Sequence, residues 1–166
     1  MAMKAFEPSK GTERDLRDAL GRFATGVCVV TCQSQSGPLG ITANSFASVS
    51  LDPPLVLWSP ARASRRFAPF AEASTFAIHV LGDSQTDLCR RFSASGDDFE
   101  GLDWTHGAEN VPLIAGCLAR FECSLAAQHD GGDHLIIIGR VTAAQYTTGT
   151  PLLFAGGRYG RFTDGC

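Results

Sequence analysis

Cys117-Leu118-Ala119-Arg120-Phe121-Glu122-Cys123-Ser124-Leu125 is followed, after a short polar run, by Asp130-Gly131-Gly132-Asp133 and then by His134-Leu135-Ile136-Ile137-Ile138-Gly139-Arg140-Val141-Thr142-Ala143-Ala144-Gln145-Tyr146. In the first run Cys117, Ala119, Phe121, Cys123 and Leu125 alternate with Leu118, Arg120, Glu122 and Ser124, the period of two that marks a strand with one buried face. The Asp-Gly-Gly-Asp segment reverses the chain, and His134 to Tyr146 returns as a second long strand. A two-stranded ribbon of this length is stable only within a larger sheet, so the pair predicts a mainly β protein.

Upstream, the chain supplies the other strands of that sheet. Thr12-x-x-Asp15 resembles a capping box ahead of Leu16, Ala19, Leu20 and Phe23, which predicts one amphipathic helix ending near Gly26. Val27 to Cys32 reads as a strand and Gln33 to Pro38 as a hairpin turn. From Ile41 to Leu51 one face is small and apolar, while the other carries Thr42, Asn44, Ser48 and Ser50 with no charge. A bend is expected at Asn44-Ser45, a break at Asp52-Pro53-Pro54 and a buried strand at Leu55 to Trp58. Ser59-Pro60 is the pattern of an N-cap and first helical residue, predicting a helix that runs to Pro69. Thr75 to Leu81 is a further strand, and Ser84-x-x-Asp87 caps a helix bearing Leu88 and Phe92. Ser93 to Val111 is an irregular segment anchored by Phe99, Leu102 and Trp104. Six or seven strands with two or three short helices, mostly joined by hairpins, give an antiparallel barrel flanked by helices.

Composition narrows the function classes. The 166 residues allow one domain, and 44% hydrophobic with 19% charged residues is the make-up of a folded globular protein. A net charge of -3 offers no field for a phosphate backbone, so nucleic acid is not an expected partner. No apolar run approaches the ~18 residues of a membrane span, and Met1 to Pro8 has no apolar stretch of a secretory signal, so the expected location is cytoplasmic. Cys28 and Cys32, four residues apart on one strand, sit roughly 13 Å from each other and cannot bond. Cys117 and Cys123 fall on one strand in the same way. All four are expected to be buried reduced thiols, and no metal-ligand spacing accompanies them.

Neither a Ser-His-Asp order, a carboxylate pair nor a Gly-x-x-x-x-Gly-Lys loop can be assembled, which removes the usual hydrolase and NTPase readings. Gly156-Gly157-Arg158-Tyr159-Gly160 lacks the second half of a dinucleotide loop and has no helix-length segment after it. What remains is the uncharged polar face at Thr42, Asn44, Ser48 and Ser50, followed by Ser59, Ser64, Arg65 and Arg66. Hydroxyls and guanidinium groups at a helix N-terminus suit a phosphorylated ligand.

Ile41-Thr42-Ala43-Asn44-Ser45-Phe46-Ala47-Ser48-Val49-Ser50-Leu51-Asp52-Pro53-Pro54-Leu55-Val56 resembles the signature of the short-chain flavin reductases, the reductase components of two-component flavin monooxygenases. Other marks of that family stand in order: the helix-to-strand entry at Leu16 to Val27, Ser64, the run Phe76 to Leu81, Gly131-Gly132-Asp133-His134 and Gly157-Arg158-Tyr159-Gly160. The resemblance covers residues 13–162, leaving 1–12 and 163–166 as tails. It implies an FMN-binding split β-barrel, working as a homodimer, in which NAD(P)H reduces FMN or FAD for a separate monooxygenase component. It places Thr42, Ala43, Asn44 and Ser45 along the isoalloxazine, Ser48, Val49 and Ser50 at the ribityl chain and phosphate, and Ser64 with Arg65 on the phosphate. His134, Arg158 and Tyr159 lie on the nicotinamide side, with His134 the candidate catalytic residue. His79 stands where the family usually shows Asn and reads as a structural residue. A flavin-binding carrier or sensor on the same barrel is the alternative, as is a relative of the pyridoxamine phosphate oxidases.

Overall fold

The computed structural model describes residues 3–164. Helix α1 (Glu13–Leu20) leads through the short strand β1 (Thr25–Gly26) into the hairpin of β2 (Cys28–Ser34) and β3 (Gly37–Ala43). A second hairpin joins β4 (Ala47–Leu51) to β5 (Pro54–Trp58), and helix α2 (Phe67–Glu72) precedes β6 (Thr75–Val80). A 3-10 turn, Asp83–Gln85, runs into α3 (Thr86–Ala94), and β7 (Trp104–His106) pairs with β8 (Pro112–Ile114). The long hairpin is β9 (Ala119–Gly131) and β10 (His134–Tyr146), and β11 (Leu152–Ala155) and β12 (Arg158–Arg161) end the chain's regular structure.

Seven strands form one antiparallel sheet in the order β3-β2-β6-β9-β10-β5-β4. Its two edge strands are consecutive in sequence, joined only by Asn44, Ser45 and Phe46. Laid flat, six strand spacings would separate those edges by about 29 Å, whereas four Cα steps reach at most about 14 Å. The sheet therefore curls until its edges converge at this end. Bulges in the β9–β10 ladder at Ile138/Gly139 and Val141/Ala143 assist the bend. Inside the curl lie Cys28, Val30, Cys32, Val56, Phe76, Ile78, Cys123 and Ile137, with Trp58 edge-on to Phe70 at 5.2 Å. Phe46 reaches from the edge connection to stack on Phe121 of β9, with ring centroids 5.6 Å apart.

A second apolar cluster covers the outer face of β2 and β6, where Val27, Val29 and Leu81 meet Cys89 and Phe92 of α3 together with Phe99 and Ile114. Two buried polar side chains pin β8 to that face. Thr31 Oγ1 donates to Pro112 O at 2.5 Å. His79 Nδ1 lies 3.0 Å from Val29 O, and its Nε2 accepts the Ile114 N–H at 3.0 Å. The ring is thus the neutral tautomer with its proton on Nδ1, the structural residue expected.

Several expectations are corrected. No helix starts at Ser59-Pro60: Leu135 N–H donates to Pro60 O, Arg62 N–H donates to Asp133 O, and Ala61 bridges His134. The β9–β10 turn thereby captures peptide groups that a helix would have used, and α2 begins only at Phe67, with Pro69 inside its first turn, where a missing N–H costs nothing. Helix α1 stops at Leu20 because Gly21 onward turns back to let β1 pair with β11. Thr12 does not cap it: its hydroxyl donates to Glu7 O and accepts the Ser9 N–H. Pro54 starts β5 rather than ending the pairing, as it stands opposite Leu51. Cys117 precedes β9 and is only half buried. The segment after Ser93 carries the β7–β8 ribbon, although Phe99 and Trp104 do anchor it, edge to face at 5.2 Å.

Candidate active site

Asn44, Ser45 and Phe46 belong to neither neighbouring ladder, so their peptide groups are free of sheet pairing. Side-chain bonds hold them in place. Ser45 Oγ accepts the Ser59 N–H at 2.9 Å and donates to Ser59 O at 3.2 Å. Asn44 Nδ2 lies 3.3 Å from Thr25 Oγ1, and Thr42 Oγ1 donates to Cys89 O at 2.7 Å. The segment connecting the sheet edges is thereby tied to the end of β5 and to β1, and the end of β3 that leads into it is tied to α3.

Beside it opens a cleft of about 190 Å³, bounded by Thr42, Ala43 and Asn44 on one side, Phe154 and Tyr159 on another, and Ser93 at the end of α3. Tyr159 leans on Phe154, with ring centroids 5.2 Å apart. The neighbouring Cys89 thiol, and then partial burial, push the Tyr159 hydroxyl above its ordinary value, so it stays protonated and able to donate at neutral pH. The cleft carries no carboxylate and no imidazole. It offers an aromatic wall, the Asn44 peptide and amide, and hydroxyls, which suits a flat, carbonyl-bearing ring better than a reaction needing a strong general base.

The remaining candidates gather elsewhere in the chain. The edge strand β4 exposes Ser48 and Val49, with Ser50 half buried and the ladder shifting register between Ser48 and Ser50. The Ser59–Arg66 segment forms turns against the β9–β10 hairpin. There Ser64 Oγ accepts the Arg66 N–H at 3.2 Å, and Arg65 is exposed with no side-chain hydrogen bond among the described residues. Arg62 donates to Gly132 O and pairs with Asp130 at 2.7 Å. His134, bridged to Ala61, has its Nδ1 2.7 Å from Asp133 Oδ1, and that hydrogen bond holds the Asp133 carboxyl below its usual range. Arg158 is exposed at the start of β12. One chain thus brings Thr42, Ala43, Asn44 and Tyr159 into a single cleft, and places His134 with Ser64 and Arg65.

Two contributors, Ser93 and Phe154, escaped the sequence reading, and a third residue, Arg66, has another role than the one read. Ser93 enters the cleft because its Oγ bonds Cys89 O one helical turn back, at 2.9 Å, leaving the residue at the exposed end of α3. Phe154 was hidden because β11 is only four residues long. Arg66 donates to Gly40 O, Phe92 O and Ser93 O at 3.1, 2.6 and 3.1 Å, tying α3's last carbonyls to β3. This corrects the reading of Arg66 as part of a phosphate-binding cluster: its guanidinium is taken up by three backbone carbonyls. Cys28, Cys32 and Cys123 are buried, and desolvation pushes each thiol up to about 12, so they are inert at neutral pH.

Residues 20–163 match the family described as flavin reductase like domain. The chain is 56% identical over 158 residues to the FMN reductase (NADH) SmoA of Agrobacterium fabrum, covering 95% of this chain and 91% of that one. It is 40% identical over 161 residues to the flavin-dependent monooxygenase reductase subunit HsaB of Rhodococcus jostii, covering 96% and 80%. The solved NADH:FAD oxidoreductase of Streptomyces globisporus C-1027, in complex with NAD and FAD fragments, aligns with a TM-score of 0.86 and 41% identity over 95% of this chain and 98% of that one. By this match, which spans nearly all of its regular structure, the chain belongs to the flavin reductase-like domain family.

Proposed function

We propose that the chain transfers a hydride from NAD(P)H to FMN or FAD and supplies the reduced flavin to a separate monooxygenase component. The observation that carries this is the cleft at Thr42, Ala43, Asn44 and Tyr159, where Asn44, outside the sheet ladders, shares a cavity with an aromatic wall and no carboxylate or imidazole lines it among the described residues. The residues fit a flavin: its ring carbonyls and nitrogens want N–H and amide partners, and its phosphate wants hydroxyls and Arg. When bound, the flavin would supply an electrophilic N5 as the acceptor for a hydride from nicotinamide C4, a chemistry that asks the protein to hold two rings together rather than to move protons. The protein's part is positional. The peptides of Thr42 to Ser45 orient the ring, Ser48 to Ser50 with Ser64 and Arg65 take the ribityl phosphate, and Tyr159, Arg158 and His134 receive the nicotinamide.

The curled sheet, with consecutive edge strands meeting at Asn44–Phe46, is read as a split barrel. A homodimer accounts for the apolar side chains that one chain leaves uncovered, since Leu51 on the edge strand β4 is 95% exposed and Tyr146 at the end of β10 is 89% exposed. A partner subunit also accounts for His134 and Tyr159 serving one nicotinamide while they stand in different parts of a single chain. The reading places the protein in the cytoplasm, and no helix among the described residues is long and apolar enough to cross a membrane.

Anaerobic stopped-flow mixing of NADH with the protein and FMN tests the activity. Bleaching of the flavin absorbance at a protein-dependent rate supports a reductase. A flavin that stays bound and oxidised identifies a carrier or sensor instead. Sedimentation at micromolar concentration tests the dimer, and a folded monomer that binds flavin would overturn it.

A further inference from the structure

Strand β9 opens on Ala119 and Arg120, and the Arg120 side chain is only 17% exposed. Its guanidinium is held from two directions. Nη2 donates to Gln145 Oε1 of β10 at 3.0 Å. Nε is buried without a hydrogen-bond partner, its distance of 3.5 Å from Glu122 Oε1 being too long for one. Nη1 is left over: it has no hydrogen-bond partner among the described residues and, unlike Nε, is not sealed from solvent.

This guanidinium borders a cleft of about 250 Å³ between the loop before β9 and the end of β10. The loop is fixed at both ends. Ala115 N–H donates to Asp103 O and Leu118 N–H to Val80 O, each at 2.9 Å, while Thr147 N–H donates to Leu118 O at 2.8 Å. Between those ties Gly116 adopts a left-handed φ of 74°, which glycine takes without strain, and the N–H groups of Gly116 and Cys117 have no partner among the described residues. Both residues line the cleft. No Asp or Glu among the described residues does; Glu122 lines a different cleft, with Thr75 and Thr142. Burial pushes the Cys117 thiol up to about 11, so it carries no charge at pH 7. His79, opposite Arg120 in the ladder, is neutral there as well.

The cleft thus gathers one cation and several neutral donors with no acid among them, and it shares no residue with the flavin cleft. A single guanidinium balances one negative charge rather than the nearly doubled charge of a phosphate, and the flat N–H edge of Arg matches a planar carboxylate. Ile114 and the Tyr146 ring add carbon beside it. Tyr146 is also read above as covered by a partner subunit, so the dimer must leave the rest of the cleft open.

We propose that this cleft binds a small organic monocarboxylate, with Arg120 Nη1 and the Gly116 and Cys117 N–H groups on the carboxylate and the apolar body toward Tyr146. The site goes beyond the flavin reductase reading and does not depend on it.

Calorimetric titration of the full-length wild type at pH 7 and fixed ionic strength tests it, with benzoate, its uncharged counterpart benzamide and inorganic phosphate as probes. Benzoate is expected to bind saturably, and about tenfold or more tightly than either of the others. Arg120→Gln is expected to weaken benzoate by about tenfold or more and to leave benzamide unchanged. Where that variant does not fold, amide NMR of the wild type decides. Benzoate should then shift the Gly116 and Cys117 N–H signals and leave those of Thr42 to Asn44 in place. Shifts centred on Thr42 to Asn44, or equal affinity for benzamide or phosphate, would overturn the site. The absence of saturable binding would overturn it too, and is the result expected if the partner subunit closes the cleft. None of these outcomes bears on flavin reduction, which the anaerobic bleaching experiment tests separately.

Discussion

Ser45 Oγ both accepts the N–H of Ser59 and donates to its carbonyl, at 2.9 and 3.2 Å. One hydroxyl therefore fastens the connection between the two edge strands to the end of β5, and it fixes the peptides that border the cleft. Ser45→Ala is expected to cost about 1–2 kcal/mol of stability, the worth of one or two hydrogen bonds, and to weaken FMN binding. Urea denaturation and a flavin titration measure the two effects; an unchanged flavin affinity would show that the tie does not position the cleft.

His79 makes folding pH-dependent. Burial, and to a lesser degree the charge of Arg120, lower its pKa from 6.5 to about 4, against the opposing hydrogen bond to Val29 O. Between those values the unfolded chain takes up a proton that the folded one refuses. The stabilisation is complete above pH 6.5 and declines as the pH falls to about 4, by roughly 3 kcal/mol in total. Denaturation midpoints at pH 7, 6 and 5 should fall more steeply for the wild type than for His79→Asn, which cannot titrate; parallel slopes would contradict this.

Ser64 and Arg65 are proposed to hold the flavin phosphate. The double substitution Ser64→Ala with Arg65→Ala is expected to weaken FMN binding far more than riboflavin binding, since riboflavin lacks the phosphate. Equal losses for both flavins would remove the phosphate from this segment.

His134→Ala is expected to lower kcat/KM for NADH by about 1–3 kcal/mol in transition-state terms, if its one hydrogen bond to the nicotinamide is lost. The affinity for oxidised flavin should stay nearly constant. Loss of flavin with normal donor kinetics would instead place His134 on the flavin.

Gly139 carries a packing prediction. A Cβ there would lie 2.5 Å from Phe76 Cζ and 3.0 Å from Cys123 Cβ. Gly139→Ala should therefore destabilise the curled sheet by about 1–3 kcal/mol through overpacking, read as a lowered urea midpoint. A midpoint equal to the wild type's would show that Phe76 can move aside.

The local signals in the sequence determined a great deal. Alternation over Cys117 to Leu125 and the Gly131-Gly132 reversal specified the long hairpin, and β10 spans His134–Tyr146 as expected. Periodicity is read by neighbours two residues apart, and no distant contact was needed to establish it. The bend at Asn44-Ser45 was equally legible, because the Ile41 to Leu51 segment is long for one strand. Only the tertiary structure decided the fate of Ser59 to Arg66, whose helix-start pattern lost to pairing with the β9–β10 turn, since a peptide N–H bonded to Asp133 O is withdrawn from a helix. Ser93 and Phe154 are set by the same kind of long-range event. They become walls of one cleft only when β11 pairs with β1 and brings a hairpin from the end of the chain alongside α3. That approach depends on contacts between residues far apart in sequence, which no local pattern records.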